Sequence, residues 1–295
     1  MITKTAMVAL IGRPNVGKST LTNALVGEKI AIVTNKPQTT RNRIFGIINS
    51  GDTKIILMDT PGFHKARTRL GDYMVNVVNQ SVSDVDAAVL VVEPIPNIGT
   101  QEGLLIEKIK ESRVPAILVI NKIDTVEKDV LLSVIAEYSG ACDFDAIVPL
   151  SAKTGDGTDI LLEEIKKYAL EGPALFPEDM ITDQPERQIC AEIIREKLLL
   201  CLDREIPHGT AVEITKFSER DDGIIDLEAT IFCEKASHKG MIIGKKGAML
   251  KKIGTLARED IESFMGTKVF MQTWVKVKEN WRDSNAQLRN FGYEE

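Results

Sequence analysis

Through the first 150 residues, short apolar runs rich in β-branched residues alternate with stretches whose apolar positions recur every three to four residues. TAMVALI, IFGIINS, KIILMD, AAVLVV, AILVI and AIVPL read as strands, and helical patterns separate them from about residue 70 onward. Such alternation predicts a mainly parallel sheet with helices on both faces. IFGIINS and KIILMD are joined through Gly51 and Asp52, so that pair is expected to be an antiparallel hairpin. Periodicity stops in GPALFPEDMITDQPE, residues 172–186, where three prolines and four acidic residues predict a linker.

Beyond it the pattern differs. Cys190, Ile193, Ile194, Leu198 and Cys201 keep helical spacing; Ile225, Leu227, Ala229, Ile231 and Cys233 then alternate with polar residues, as in a half-buried strand. Leu250, Ile253, Ala257, Ile261 and Phe264 form a second helical stripe, and Val269, Met271, Thr273, Val275 and Val277 a second alternating strand. The expected organisation is an α/β domain over residues 1–171, the linker 172–186, a smaller helix-plus-sheet domain over 187–279 and a tail over 280–295.

Composition narrows the classes. With 295 residues and 43% hydrophobic content, the chain can build two cores. Its most apolar runs are far shorter than the roughly 20 residues of a spanning helix, and the N-terminus has no small-residue cleavage site, so a cytoplasmic protein is expected. Cys142, Cys190, Cys201 and Cys233 lack metal or redox spacing and read as reduced core thiols. The net charge of −6 is shared almost evenly between the halves, so any nucleic-acid contact must come from a local basic patch.

The chemistry concentrates in ordered motifs. GRPNVGKS (Gly12, Arg13, Pro14, Asn15, Val16, Gly17, Lys18, Ser19) fits G-x-x-x-x-G-K-[ST] between a predicted strand and helix, with Thr20 following. Glycines there let backbone N–H groups turn around phosphate oxygens, and the helix N-terminus adds partial positive charge. Lys18 would reach the β and γ phosphates, and Ser19 would ligate Mg²⁺. Asp59, ending an apolar strand in Asp-Thr60-Pro61-Gly62, would hold that ion through water, and Gly62 would offer its N–H to the γ-phosphate. Phe63 stands next, where many nucleotide-hydrolysing switches place a water-orienting polar residue. In the polar loop NKPQTTRNR, Thr40 rather than Thr39 is assigned to the Mg²⁺ shell.

Asn121-Lys122-Ile123-Asp124 follows AILVI. Asp124 can accept from the N1–H and 2-amino edge of guanine, which adenine lacks, so the nucleotide is expected to be GTP or GDP. Ser151 in SAKTG would brace this loop, the Ala152 N–H would meet guanine O6, and Lys153 completes the contact set. In the second domain, six lysines and no acid lie between Lys235 and Lys252, around Gly244-Lys245-Lys246-Gly247. A G-x-x-G loop admits a nucleic-acid backbone at close range, lysines neutralise phosphates and an apolar groove takes unpaired bases. Lys235, Lys239, Ile243, Gly244, Lys245, Lys246, Gly247, Lys251 and Lys252 are the candidate RNA contacts.

The ordered GRPNVGKST, PQTTR, DTPG, NKID and SAKTG motifs, FPEDMITDQPER, EIIREKLL and the ending WVKVKENW to LRNFGY resemble the bacterial Era GTPases over nearly the whole chain. The resemblance implies a P-loop GTPase domain followed by a type II KH domain. It implies binding of the 3′ end of 16S ribosomal RNA during assembly of the 30S subunit, and peripheral contact with the inner membrane. Carried residue by residue, nucleotide contacts fall on Gly12 to Thr20, Thr40, Asp59 to Gly62, Asn121, Lys122, Asp124 and Ser151 to Lys153. Trp281 and Arg289 in the tail could grip bases, although an aromatic there more often packs onto the domain; Arg41, Arg43, Lys65, Arg67 and Arg69 beside the switch segments could report nucleotide state to RNA or the second domain, or be solvated loop charges. No arginine finger is assignable; Asn15 could instead hold a K⁺ ion beside the phosphates, as in related GTPases with this asparagine. A monomer is expected, since no long heptad or exposed apolar stripe is apparent. Two other readings stand beside this one: an RNA-binding scaffold with a structural GTP site, and a GTPase of transfer-RNA modification, for which the scattered cysteines give no constellation.

Overall fold

β1 (Lys4–Ile11) is apolar at nearly every position because it runs through the middle of a sheet covered on both faces. The computed structural model describes residues 2–293 except 64, 65, 84, 173, 174 and 204. Two units divide the chain. One comprises Met1–Ala31, Thr40–Ala66 and Gly71–Asp183; the other comprises Ile32–Thr39, Arg67–Leu70 and Gln184–Glu295.

In the first unit the elements run β1, α1 (Lys18–Val26), β2 (Ile44–Ser50), β3 (Thr53–Asp59), α2 (Arg69–Ser83), β4 (Ala87–Val92), α3 (Thr100–Ser112), β5 (Ala116–Ile120), α4 (Lys128–Ala141), β6 (Ala146–Pro149), α5 (Thr158–Lys166) and β7 (Leu170–Glu171). The sheet order is β2-β3-β1-β4-β5-β6, parallel except at the β2–β3 hairpin, and β7 pairs antiparallel with the start of β1. Successive β1 side chains divide two cores: Ala6, Val8 and Leu10 pack with Leu21, Leu25, Leu161 and Ile165, whereas Ala9 and Ile11 pack with Val78, Val82, Leu105, Ile109, Val134 and Tyr138. Each buried Val, Leu or Ile among them contributes about 1.5–3 kcal/mol by leaving water.

The proline-rich bridge is tied down along the edge of β2. Ile47 N–H donates to Ile181 O (2.8 Å), Phe45 N–H to Asp183 Oδ1 (3.1 Å), and Gly46 bridges to Thr182. The fully buried Lys54 donates to the carbonyls of Phe176 and Pro177, which satisfies its ammonium and fixes the segment. An edge strand's unpaired N–H and C=O groups explain why a stretch without periodicity is nevertheless ordered.

In the second unit α6 (Glu186–Cys201), β8 (Ala211–Glu219), β9 (Ile225–Cys233), α7 (Ala236–Ile243), α8 (Ala248–Met265), β10 (Val269–Val277) and α9 (Asn285–Asn290) follow in order. The sheet order is β10-β9-β8, with β9–β10 parallel and β8–β9 antiparallel. Ile194 and Leu198 of α6 meet Ile253, Ala257 and Ile261 of α8 over Leu227 and Ile231. The reduced-thiol expectation fits this packing: among the described residues all four cysteines are free, three of them buried, and burial pushes the Cys190 thiol up to about 12.

Within this unit α6 also holds Ile32–Thr39. Glu196 Oε1 accepts from Val33 N–H (2.9 Å), the buried Arg195 guanidinium donates to Thr39 O, and Lys36 Nζ donates to Leu202 O. Lys197 Nζ keeps Glu196 in place, donating to its Oε2 (2.8 Å) and to Asp260 Oδ2 (2.5 Å).

Candidate functional site

The chain leaves β1 at Ile11, and sheet order brings the loops following β1, β3 and β5 together at one end. Side chains are excluded where the backbone must curl. A Cβ on Gly12 would lie 2.4 Å from Val91 O, and one on Gly17, whose φ is 100°, would lie 2.3 Å from Asn121 Nδ2. A Cβ on Gly62 would strike Pro14 Cα at 2.6 Å. Lys18 is buried and donates to the carbonyls of Gly12 (3.0 Å) and Arg13 (3.1 Å), which is how a loop cradle holds its ammonium.

Three oxygens converge beside it. Ser19 Oγ donates to Asp59 Oδ2 (2.6 Å) and lies 2.7 Å from Thr40 Oγ1. Thr39 turns the other way, its hydroxyl bonded to Thr34 Oγ1 and Lys36 O. Asp59 Oδ1 is buried with no hydrogen-bond partner. An oxygen-only set containing an orphaned carboxylate oxygen fits a hard divalent cation such as Mg²⁺. Burial raises Asp59 to about 6, against the opposing charge of Lys18 and the Ser19 hydrogen bond. Burial likewise lowers Lys18 to about 8, opposed by Asp59. A cation beside Asp59 and a phosphate beside Lys18 would add counter-charge beyond what these two groups give each other.

Thr60 Oγ1 donates to Leu10 O (2.7 Å) and Phe63 N–H to Gly12 O (3.0 Å), so the DTPG turn is sewn to the start of the phosphate loop. The Phe63 ring itself packs against the apolar cluster of α2, α3 and α4. It holds the turn down and supplies no polar atom.

At the base end, Asn121 ties three segments. Its Nδ2 donates to Val16 O (2.8 Å), and its Oδ1 accepts from Lys122 N–H (2.8 Å) and Ala152 N–H (2.9 Å). Ser151 Oγ donates to Asp124 Oδ1 (2.7 Å), which orients an exposed carboxylate. Lys122 Nζ reaches back to Asn15 O (2.7 Å). Thr20 is half-buried on α1 and Lys153 is exposed. One acid absent from the sequence motifs enters here: Glu93, just after β4, contacts both Arg13 and Lys122.

In the second unit α7 ends at Gly244 (φ 72°), Lys246 is left-handed (φ 52°), and Gly247 (φ 81°) starts α8. A Cβ on Gly244 would lie 2.7 Å from Met249 Cβ, so that glycine is sterically required. Lys235, Lys245, Lys246, Lys251 and Lys252 are exposed, whereas Lys239 and Ile243 are half-buried. Behind the turn lies a groove of about 500 Å³ lined by Gly247, Leu250, Lys251, Gly254, Arg258, Phe270 and Met271. Sequence reasoning found Gly247 and Lys251 but not Arg258 or Phe270, which lack a motif and join the groove through the packing of α8 on β10.

Several expectations need correction. Trp281 is fully buried, donates from Nε1 to Gly209 O (2.9 Å) and packs edge-on against Phe291, so it is a core anchor and cannot grip bases. Arg41 is 2% exposed rather than a loop charge. Arg43, Arg67, Arg69 and Arg289 are exposed, with Arg43 lying over the Phe45 ring, and Lys65 falls outside the described residues. Among the described residues no helix is long and apolar enough to cross a membrane.

A nucleotide cradle on a mixed sheet, followed by the α-β-β-α-α-β order of a type II KH domain, defines a P-loop GTPase joined to an RNA-binding module. Family profiles agree on both parts: one described as 50S ribosome-binding GTPase matches residues 7–122, and one described as KH domain matches 205–282. GTPase Era of Ruminiclostridium cellulolyticum is 53% identical over 98% of this chain and 97% of its own, and GTPase Era of Clostridioides difficile is 49% identical over 98% of each. The chain belongs to the Era GTPase family. Two solved structures, Era in complex with MgGDPNP and nucleotides 1506–1542 of 16S ribosomal RNA, and an Aquifex aeolicus Era variant bound to GDP and AlF₄⁻, each share 38% identity and a TM-score of 0.94. Each similarity covers 99% of this chain and 100% of that one.

Proposed function

We propose that this protein is a GTP-hydrolysing switch that binds the 3′ end of 16S ribosomal RNA and acts in assembly of the 30S subunit. The observation that carries the reading is the Ser19, Thr40 and Asp59 cluster, where the phosphate loop, the first switch loop and the DTPG strand meet through 2.6 and 2.7 Å contacts. Its hydroxyls and carboxylate would hold Mg²⁺, which when bound would neutralise charge on the β and γ phosphates. Lys18 binds those phosphates and Asp124 selects guanine; the Ala152 N–H, expected at guanine O6, is instead donated to Asn121 Oδ1 (2.9 Å) and braces the base loop. Order in the loops at Thr40 and Gly62 then depends on the γ-phosphate, and hydrolysis releases it. The exposed lysines around Gly244 to Gly247 engage RNA phosphates, and the groove behind them takes unpaired bases.

The water has no side-chain amide to orient it, because Phe63 belongs to the apolar packing. We assign this task to backbone groups assisted by K⁺ at Asn15, whose loop residue is left-handed (φ 67°) and exposed. Equal turnover in KCl and NaCl would remove the ion from the account. Single-turnover GTP hydrolysis with and without an RNA carrying the 16S 3′ sequence tests the central reading. Binding without turnover under both conditions would favour the scaffold. A monomer and peripheral membrane contact complete the proposal; light scattering and co-sedimentation with anionic vesicles test them separately.

A further inference from the structure

Glu93 occupies a position that only the sheet order makes meaningful. β4 lies between β1 and β5, so the residue just beyond its end stands between the phosphate loop after β1 and the base loop after β5. Its two carboxylate oxygens are divided between these loops. Oε2 accepts from Arg13 Nη2 at 2.6 Å, and Oε1 accepts from Lys122 Nζ at 2.5 Å. Lys122 passes the connection on by donating to Asn15 O at 2.7 Å. Arg13 has a second anchor, its Nε lying 2.7 Å from the buried Glu102 carboxylate. The backbone at Glu93 is set by a tight turn in which Ile95 N–H donates to Glu93 O (2.8 Å).

Two residues in this chain of contacts, Asn15 (φ 67°) and Lys122 (φ 64°), are non-glycine residues in the left-handed region. Such conformations persist where neighbouring groups over-determine them. Here the Lys122 ammonium holds the Asn15 carbonyl, and Glu93 holds the ammonium. Arg13 and Lys122 would otherwise present two cations to each other across the junction of the loops, and the carboxylate between them removes that repulsion.

We infer that Glu93 is a positioning residue for the bound guanine nucleotide, clamping the phosphate loop to the base loop through Lys122 and so setting how long the nucleotide stays. The inference rests on the proposed nucleotide site. Glu93 touches neither the Ser19 cluster nor Lys18, and it reaches Asn15 only through Lys122, so its effect falls on residence more than on bond cleavage. A charge-assisted hydrogen bond at a half-exposed position corresponds to roughly a tenfold change in an equilibrium constant after screening.

The test follows release of fluorescently labelled GDP, and single-turnover hydrolysis at saturating GTP, in the full chain and in Glu93→Gln, Lys122→Met and the double variant, with thermal melting as a check on folding. Glu93→Gln is expected to release GDP roughly tenfold faster while hydrolysis of bound GTP stays within about twofold. In the Lys122→Met background the same change should add less than about twofold, because the group through which Glu93 acts is gone. Release by Glu93→Gln at the unaltered rate overturns the inference, as does a tenfold effect that persists in full with Lys122 absent. Should Lys122→Met bind no GDP, the split between release and hydrolysis in Glu93→Gln alone decides. Failure of the unaltered chain to bind labelled GDP would instead overturn the nucleotide site on which the inference stands.

Discussion

Replacing Asp59 by Asn should stabilise the nucleotide-free protein while ruining its metal site. Burial moves the Asp59 carboxyl from its ordinary value near 4 to about 6 even with Lys18 and Ser19 beside it. Between these values the folded chain keeps a proton that the unfolded chain has released, so this residue's contribution to stability falls as pH rises through about 6 and stays lost above it. Two pKa units correspond to about 3 kcal/mol. An Asn at this site removes the charge but leaves one amide unpaired where Oδ1 now lies, a cost of about 1–2 kcal/mol. The net gain at pH 7.5 is therefore about 1–2 kcal/mol, or roughly 2–8 °C in melting temperature for a unit of this size. The assay is thermal melting of stripped protein in EDTA from pH 4.5 to 8, repeated with Mg²⁺ and GDP. Asp59→Asn should melt above the unaltered protein at pH 7.5, lose that advantage by pH 4.5, and gain less from Mg²⁺ with GDP. Equal destabilisation at both pH values would refute the reasoning, since it would mean that the carboxylate is held at no electrostatic cost.

Other outcomes follow from the same contacts. Phe63→Ala should cost about 1–3 kcal/mol of stability from lost packing and change turnover only modestly, as single-turnover hydrolysis would report; a loss as complete as that of Asp59→Ala would show that the ring serves the reaction. Changing Lys245 and Lys246 together to Gln should weaken single-stranded RNA binding and flatten the slope of log affinity against log salt by about 1.4, near 0.7 per phosphate contact, measurable by fluorescence anisotropy. Trp281→Ala should cost about 3–5 kcal/mol in denaturant melts, because the indole is fully buried and bonded to Gly209 O. An unchanged midpoint with reduced RNA affinity would instead restore the tail to the RNA surface.

The strands of the first unit were legible because a sheet covered on both faces demands continuous apolar runs, and TAMVALI, AAVLVV and AILVI satisfy it directly. β8 was not, and its pairing explains why. Val212 and Ile214 face the core two positions apart, and the register shift between Ile214 and Lys216 brings Phe217 to that face three positions later, which breaks the alternation. The order of residues 176–183 depends on the unpaired edge of β2, which no local pattern announces. At the nucleotide site the glycines and Lys18 stood out because phosphate recognition restricts residue types at fixed spacing. Glu93 did not, since a single acid after a strand gains meaning only from β4 lying between β1 and β5. For Trp281 the sequence left packing and base contact both open, and only the placing of Gly209, Phe291 and Tyr293 around it decides for packing.

The grip of α6 on Ile32–Thr39 also has a calendar. Val33 and the carboxylate that receives its N–H are separated by 163 positions, and Thr39 and Arg195 by 156. A ribosome adding about 5–20 residues per second needs roughly 8–30 s to span that interval. Throughout it the strands from β1 to β6 can be completed in order, while the residues immediately before Thr40 wait for partners not yet synthesised. Birth of the protein from its N-terminus thus makes the setting of this loop a late event, and a nascent chain halted before Arg195 would carry Thr40 on a tether that nothing in α6 yet holds.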